Sequence, residues 1–166
     1  MRTYTKAGEV HGWAFDRIVE PTVTAGAYTA GDIMGGLMTF PFIGRVHSEP
    51  VIITGVQVTL KAAVTPSLQL CLFDSVLSGS TTVTDNAAYS LAAADAFKLV
   101  AAIPINALGG YLTDHGTPNS YTVNNLGLVC APADTSQSLY GLLVDLTGVT
   151  LTSTSDVQVR IRGVGV

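Results

Sequence analysis

The side chains best suited to catalysis or metal binding are few and scattered in this sequence. The three histidines are His11, His47 and His115. None falls in a His-x-His or His-Glu-x-x-His spacing, and no Cys-x-x-Cys is present, so the usual zinc frameworks are missing. Ser78 and Ser80 flank Gly79, which is ordinary turn chemistry and lacks the Gly-x-Ser-x-Gly context of a nucleophile elbow. The carboxylates nearest to a hydrolytic pair are Glu9, Glu20, Asp32, Glu49 and Asp74, and no spacing brings two of them together. Asp74, Asp85, Asn86 and Asp95 supply the hard oxygens that calcium needs, but far from an EF-hand spacing; turn and cap roles account for all four. Gly26, Gly31, Gly35 and Gly36 are not followed by the Gly-Lys-Ser/Thr of a phosphate loop. The residues therefore point to no catalytic site, no cofactor and no metal.

Trp13, Tyr28, Tyr111, Tyr121 and Tyr140 could form a stacking platform for a sugar or a base, but they are irregularly spaced, which favours core or interface packing. Arg160 and Arg162 form the one close basic pair, on alternate positions of a strand, and read as a solvated strand face; no basic stripe argues for nucleic acid. Cys71 and Cys130 sit in apolar contexts and read as buried free thiols.

The elements that would have to position any site read as strands. Val56-Gln57-Val58-Thr59-Leu60-Lys61 and Asp156-Val157-Gln158-Val159-Arg160-Ile161-Arg162 alternate apolar and polar residues with period two. Leu68, Leu70 and Leu72 share one face, as do Tyr140, Leu142, Val144 and Leu146. Strands are expected at 10–15, 34–42, 51–61, 67–73, 98–105, 121–129, 137–146 and 156–164. Turn signals punctuate them, among them Thr65-Pro66, Gly109-Gly110 and Asn124-Asn125. Eight such strands predict a single-domain antiparallel β-sandwich or jelly roll over residues 1–166, with residues 1–23 as an N-terminal arm or first strand. The alanine-dense stretch near 86–97 predicts one short helical connection, with Asp85 or Ser90 as its cap. The segment 22–36, rich in small residues, reads as a flexible or clasping loop.

Composition sets the surface. Of 166 residues, 48% are hydrophobic and only 12% charged, the net charge is −4, and the mean hydropathy is +0.43. Charged residues normally make up about a quarter of a soluble domain. No run reaches the ~18 apolar residues of a spanning helix, which excludes a helical membrane anchor and leaves burial against other protein chains as the explanation.

Three segments together carry a resemblance. Tyr28-Thr29-Ala30-Gly31-Asp32-Ile33-Met34-Gly35-Gly36 resembles the Y-T-A-x-D-x-x-G-G opening of small virion proteins of tailed bacteriophages. Leu70-Cys71-Leu72-Phe73-Asp74, followed by Thr82-Val83-Thr84-Asp85-Asn86-Ala87-Ala88, resembles their strand ending in L-F-x and the T-x-x-D-N-A-A after it. Leu139-Tyr140-Gly141-Leu142-Leu143-Val144 and the stretch from Thr152 to Arg160 resemble their closing strands. The resemblance implies a jelly-roll capsid decoration, or cement, protein on the outer face of a phage head. Its partners would be the major capsid protein and further copies of itself, as a trimer, with no nucleic acid, membrane or cofactor and no catalytic residue to transfer. The alternative is a carbohydrate- or receptor-binding β-sandwich module of a tail fibre or head fibre.

Overall fold

The computed structural model describes residues 13–106, 111–114, 119–133 and 135–165, with backbone alone for 111–114. The expectations for His11, for strand residues 10–12 and the arm before Trp13, for the Gly109-Gly110 turn, for His115 and for the Tyr111 side chain lie outside the described residues.

Nine strands occur among the described residues: β1 (Ala14–Val19), β2 (Ile33–Phe40), β3 (Val51–Leu60), β4 (Leu68–Phe73), β5 (Leu99–Ile105), β6 (Tyr111–Asp114), β7 (Asn119–Cys130), β8 (Leu139–Asp145) and β9 (Val157–Gly165). Every described pairing is antiparallel, in a five-stranded sheet β1-β9-β3-β7-β6 and a four-stranded sheet β2-β8-β4-β5. The pairs β1·β9, β2·β8, β3·β7 and β4·β5 nest within one another, like a single long hairpin. Rolling that hairpin up brings β9 against β3 and β8 against β4. The result is a jelly roll, with β6 added as a hairpin partner on the outer edge of β7.

The alternation read from the sequence is the alternation of burial. Val157, Val159 and Ile161 of β9 face the inter-sheet core with Val56, Val58 and Leu60 of β3. Across the sandwich they meet Leu68, Leu70 and Leu72 of β4 and Met34, Met38 and Phe40 of β2. Full burial of one such side chain contributes about 1.5–3 kcal/mol, so the core is the main source of stability. Gly141 of β8 is small because the Phe40 ring lies where its Cβ would be, 2.9 Å from Cε2.

The sheets differ on their outer faces. The outer face of the five-stranded sheet carries a polar network across its strands. Arg160 pairs with Asp16, Arg162 donates to Gln57 at 2.9 Å, Gln158 donates to Glu20 at 2.7 Å, and Thr59 and Ser120 share a bond of 3.0 Å. The outer face of the four-stranded sheet is apolar and covered. Ile33, Cys71, Phe73 and Leu142 form a second cluster there, roofed by Leu77, Val83, Tyr89 and Leu91 from the 74–98 connection. Buried on both faces, β4 and β8 read as near-continuous apolar runs.

Two expectations need correction: the bounds of the first strand, and the Asn124-Asn125 turn, which is instead a bulge inside β7 with Asn125 at φ 57°. The first strand runs over Ala14–Val19, not 10–15, because its pairing with β9 sets the register: Phe15 faces Gly163 and Val19 faces Val159. The short helical connection expected near 86–97 is present as a six-residue 3-10 turn, Ala93–Lys98, at the end of that stretch. Residues 85–92 cannot be helical because their backbone groups are committed across the chain. Asn86 N donates to Ile33 O, Ile33 N to Ala87 O, and Tyr89 N to Gly31 O, while Asn86 is left-handed with φ 55°. Neither Asp85 nor Ser90 is the cap; the 3-10 turn starts at Ala92 without a side-chain cap.

Candidate interaction surfaces and the clasp

Strand polarity gives the sandwich two ends with different chemistry. At one end lie the connections 20–32, 61–67 and 146–156, joined by Tyr28 N to Val149 O, Leu151 N to Gly26 O and Val23 N to Thr154 O. This end is rich in hydroxyls: Thr147, Thr150, Thr152, Ser153, Thr154 and Ser155 fall in one connection. An open groove of about 420 Å³ runs between residues 63–66 and 147–150, and its lining contains no titratable side chain.

The other end holds the connection 41–50, the two feet of 74–98, and 131–138. Six of the eight exposed large apolar residues among those described lie there: Phe42, Val46, Val76, Phe97, Val129 and Val164; Ile18 and Leu146 lie elsewhere. Val164, Ile52 and Val129 are register neighbours on the outer face of adjacent strands, and Ala14 extends the row to β1. At ~4.8 Å per strand the row is about 14 Å long.

Two features at this end run against ordinary patterning. Phe42 is exposed and left-handed, with φ 53°, a conformation that costs a bulky residue energy. Arg17 holds it there, donating from its guanidinium to Pro41 O at 2.7 Å and Phe42 O at 2.8 Å. The 3-10 turn is inverted, with Asp95 0% and Phe97 97% exposed. Asp95 accepts bonds from Ser78 N, Ser78 Oγ and Thr81 Oγ1, and pairs with Lys98 Nζ at 2.8 Å. The Lys98 ammonium, then the hydroxyls, hold its carboxyl well below the usual range.

Two of the segments that carry the resemblance meet in space. Asp85 accepts hydrogen bonds from Thr24 N at 2.7 Å, Thr24 Oγ1 at 2.6 Å, Tyr28 OH at 2.8 Å and Gly35 N. Burial raises its pKa, but these bonds outweigh it and leave the carboxyl below its ordinary value. Asp32 caps its own turn by accepting from Thr29 N at 2.7 Å, and its backbone bridges Ala88. Gly35 and Gly36 carry φ of 81° and 69° in the β2 bulge, where a Cβ on Gly36 would stand 3.0 Å from Val83 O. Tyr28–Gly36 and Thr82–Ala88 are thus two halves of one clasp that locks the 74–98 flap over the four-stranded sheet. Residues 22–32 form a clasping loop, while Ile33–Gly36 of the expected loop belong to β2; Asp85 is the residue that is clasped.

The other singled-out residues stay apart. Asp74 accepts from Ser75 Oγ, and no group of three metal-ligating side chains occurs among the described residues. Glu49 organises the 41–50 loop, accepting from Arg45 N, Val46 N and Trp13 Nε1. Arg45 stacks over Trp13 at 5.7 Å, so that ring is not an open platform. Tyr28 and Tyr121 are core residues. Cys71 faces the flap cluster and Cys130 the inter-sheet core; both are free, and burial raises both thiols, Cys130 to about 11.

No protein-family model matches the chain, and no curated protein matches it. Among solved structures it is similar to a chain in an X-ray structure of tomato aspermy virus, with TM-score 0.42 and 13% identity, covering 99% of this chain and 81% of that one. It is also similar to a chain of the full particle of Israeli acute paralysis virus heated to 63 degrees, with TM-score 0.28 and 11% identity, over 92% and 67% of the two chains. At these scores neither likeness bears on function.

Proposed function

We propose that this chain is a structural virion protein, a decoration protein that sits on the outer face of a tailed-phage head and ties neighbouring major capsid subunits together. The observation that carries the reading is the clasp. Two of the segments that carry the resemblance, Tyr28–Gly36 and Thr82–Ala88, form one device in space, which supports reading them together. The jelly roll, the low charge and the exposed apolar end support it, since a lattice-binding protein works through repeated uncharged contacts made avid by multiplicity. The reading contains no catalytic step. It includes self-association, with a trimer as the expected state. The fibre-module alternative has less support, because Arg45 covers the Trp13 face it would use.

The test is quantitative mass spectrometry of gradient-purified virions of the source phage, followed by heating of particles with and without the chain. The reading expects the chain in many copies per head and earlier DNA release without it. Absence from purified heads overturns it.

A further inference from the structure

We propose that the 74–98 flap is a hinged lid that opens as one unit from a jelly roll that stays folded, with Asp85 as its latch. What it uncovers is the apolar outer face of the four-stranded sheet. The inference goes beyond the virion reading and does not rest on it.

Three observations carry it. First, the flap has an internal frame. Asp95 gathers Ser78, Thr81 and Lys98. Thr81 Oγ1 in turn accepts from Ala92 N at 3.1 Å, and Thr82 N donates to Ser90 O at 3.0 Å. All of these partners lie within 74–98, so these bonds are kept when the flap lifts.

Second, the flap is attached at its feet and at its far edge. The feet leave adjacent strands side by side: Phe73 of β4 is the register partner of Leu99 of β5, and Asp74 N donates to Lys98 O at 3.0 Å. A few residues at the ends of two paired strands are what a hinge needs, since they absorb the rotation while the strands stay paired. At the far edge the hold is on segment 22–36. Asp85 accepts from Thr24, Tyr28 and Gly35, Asn86 N donates to Ile33 O at 2.8 Å, and Tyr89 N donates to Gly31 O at 2.8 Å.

Third, the flap is a thin cover over a separate cluster. Within 74–98 only Leu77, Thr81 and Asp95 are buried, whereas Ile33, Cys71, Phe73 and Leu142 beneath it are shielded from solvent. That cluster is distinct from the inter-sheet core, so lifting the flap opens the one and leaves the other packed. Segments with few buried side chains open at a smaller cost than the whole fold. Cys71 lies under the flap, where the Tyr89 side chain hydrogen-bonds its thiol. The reactivity of Cys71 therefore reports the position of the lid.

The experiment is labelling of Cys71 in the full chain carrying Cys130→Ala. An aromatic disulfide reagent in excess is used at urea concentrations below the unfolding transition, and the released aromatic thiolate is followed. Labelling should be slow, and the opening that limits it should respond to urea with no more than about half the slope of global unfolding read by circular dichroism. Asp85→Ala should speed it about a hundredfold. Ile161→Val, in the inter-sheet core of the other sheet, should shift global unfolding about two- to tenfold and leave Cys71 labelling unchanged. Hydrogen exchange read by mass spectrometry on the wild type needs no variant: amides of 74–98 should exchange together and ahead of β3, β4 and β8. Labelling that follows the global urea slope and answers to Ile161→Val as the whole fold does would mean that Cys71 is reached only by unfolding, and overturns the proposal. So does labelling indifferent to Asp85→Ala, or a flap whose amides exchange no sooner than the strands beneath it.

Discussion

Replacing Asp85 by alanine should destabilise the fold by about 3 kcal/mol. The figure follows from the donors that lose their acceptor, of which Thr24 N keeps a second one in Tyr28 OH. Thr24 N and Oγ1 are exposed and can turn to water at little net cost. Tyr28 OH and Gly35 N are partly buried, and each buried donor left without a partner costs ~1–3 kcal/mol. At this chain length ~1 kcal/mol shifts the thermal midpoint by about 2–4 °C, so the drop should be about 6–12 °C. The assay is urea and thermal unfolding followed by far-ultraviolet circular dichroism and by fluorescence of Trp13, the one tryptophan. Asp85→Asn keeps one acceptor oxygen and should lose less than half as much. Asp74→Ala, whose carboxylate accepts only the neighbouring Ser75 hydroxyl, should stay within ~0.5 kcal/mol, as surface changes do. A loss below ~0.5 kcal/mol for Asp85→Ala would refute the clasp as a stabilising device.

Further outcomes follow from the same contacts. Asp85, Asp95 and Asp156 all have carboxyls held below their ordinary value of 3.8. Their stabilisation is therefore fully present above about pH 4 and lost as pH falls through the folded values; the thermal midpoint should be flat from neutral pH to about 5 and fall steeply below 4, less steeply in Asp85→Ala. Both thiols should resist a disulfide reagent at pH 8 in the native protein and react as two equivalents in denaturant, since both are buried with raised pKa values; one fast native thiol would contradict this. Gly163→Ala should cost more than ~2 kcal/mol in urea unfolding, because its Cβ would strike Ile52 O and the Phe15 ring.

Much of the fold was legible in the sequence because period-two burial writes itself directly into strands such as β3 and β9. The ends of β2, β3, β4, β5, β8 and β9 lie within two residues of those read from alternation and turn residues. The rest was set by tertiary commitments. Alanines at 87, 88 and 92–94 favour helix locally, but the first of these are bonded into the edge of β2, leaving only the 3-10 turn. The first strand was misplaced because only its register against β9, some 145 residues away, fixes it. Asp85 could be seen as a turn residue, but its reach to Tyr28, 57 residues earlier, could not. The inversion that buries Asp95 and exposes Phe97 was invisible because it depends on Ser78, Thr81 and Lys98 converging. Its sequence signal was only a Phe beside a Lys in an otherwise alanine-rich turn.

The account's central claim is that this jelly roll is a shell component built for protein contact. A cryo-electron microscopy map of intact virions that carry this chain tests it most directly. The account predicts density for this chain on the outer face of the head, at or near a local symmetry axis, with the end bearing Phe42 and Phe97 in protein contact and the hydroxyl-rich end in solvent. Density confined to the tail, or a shell with none of this chain, would contradict it.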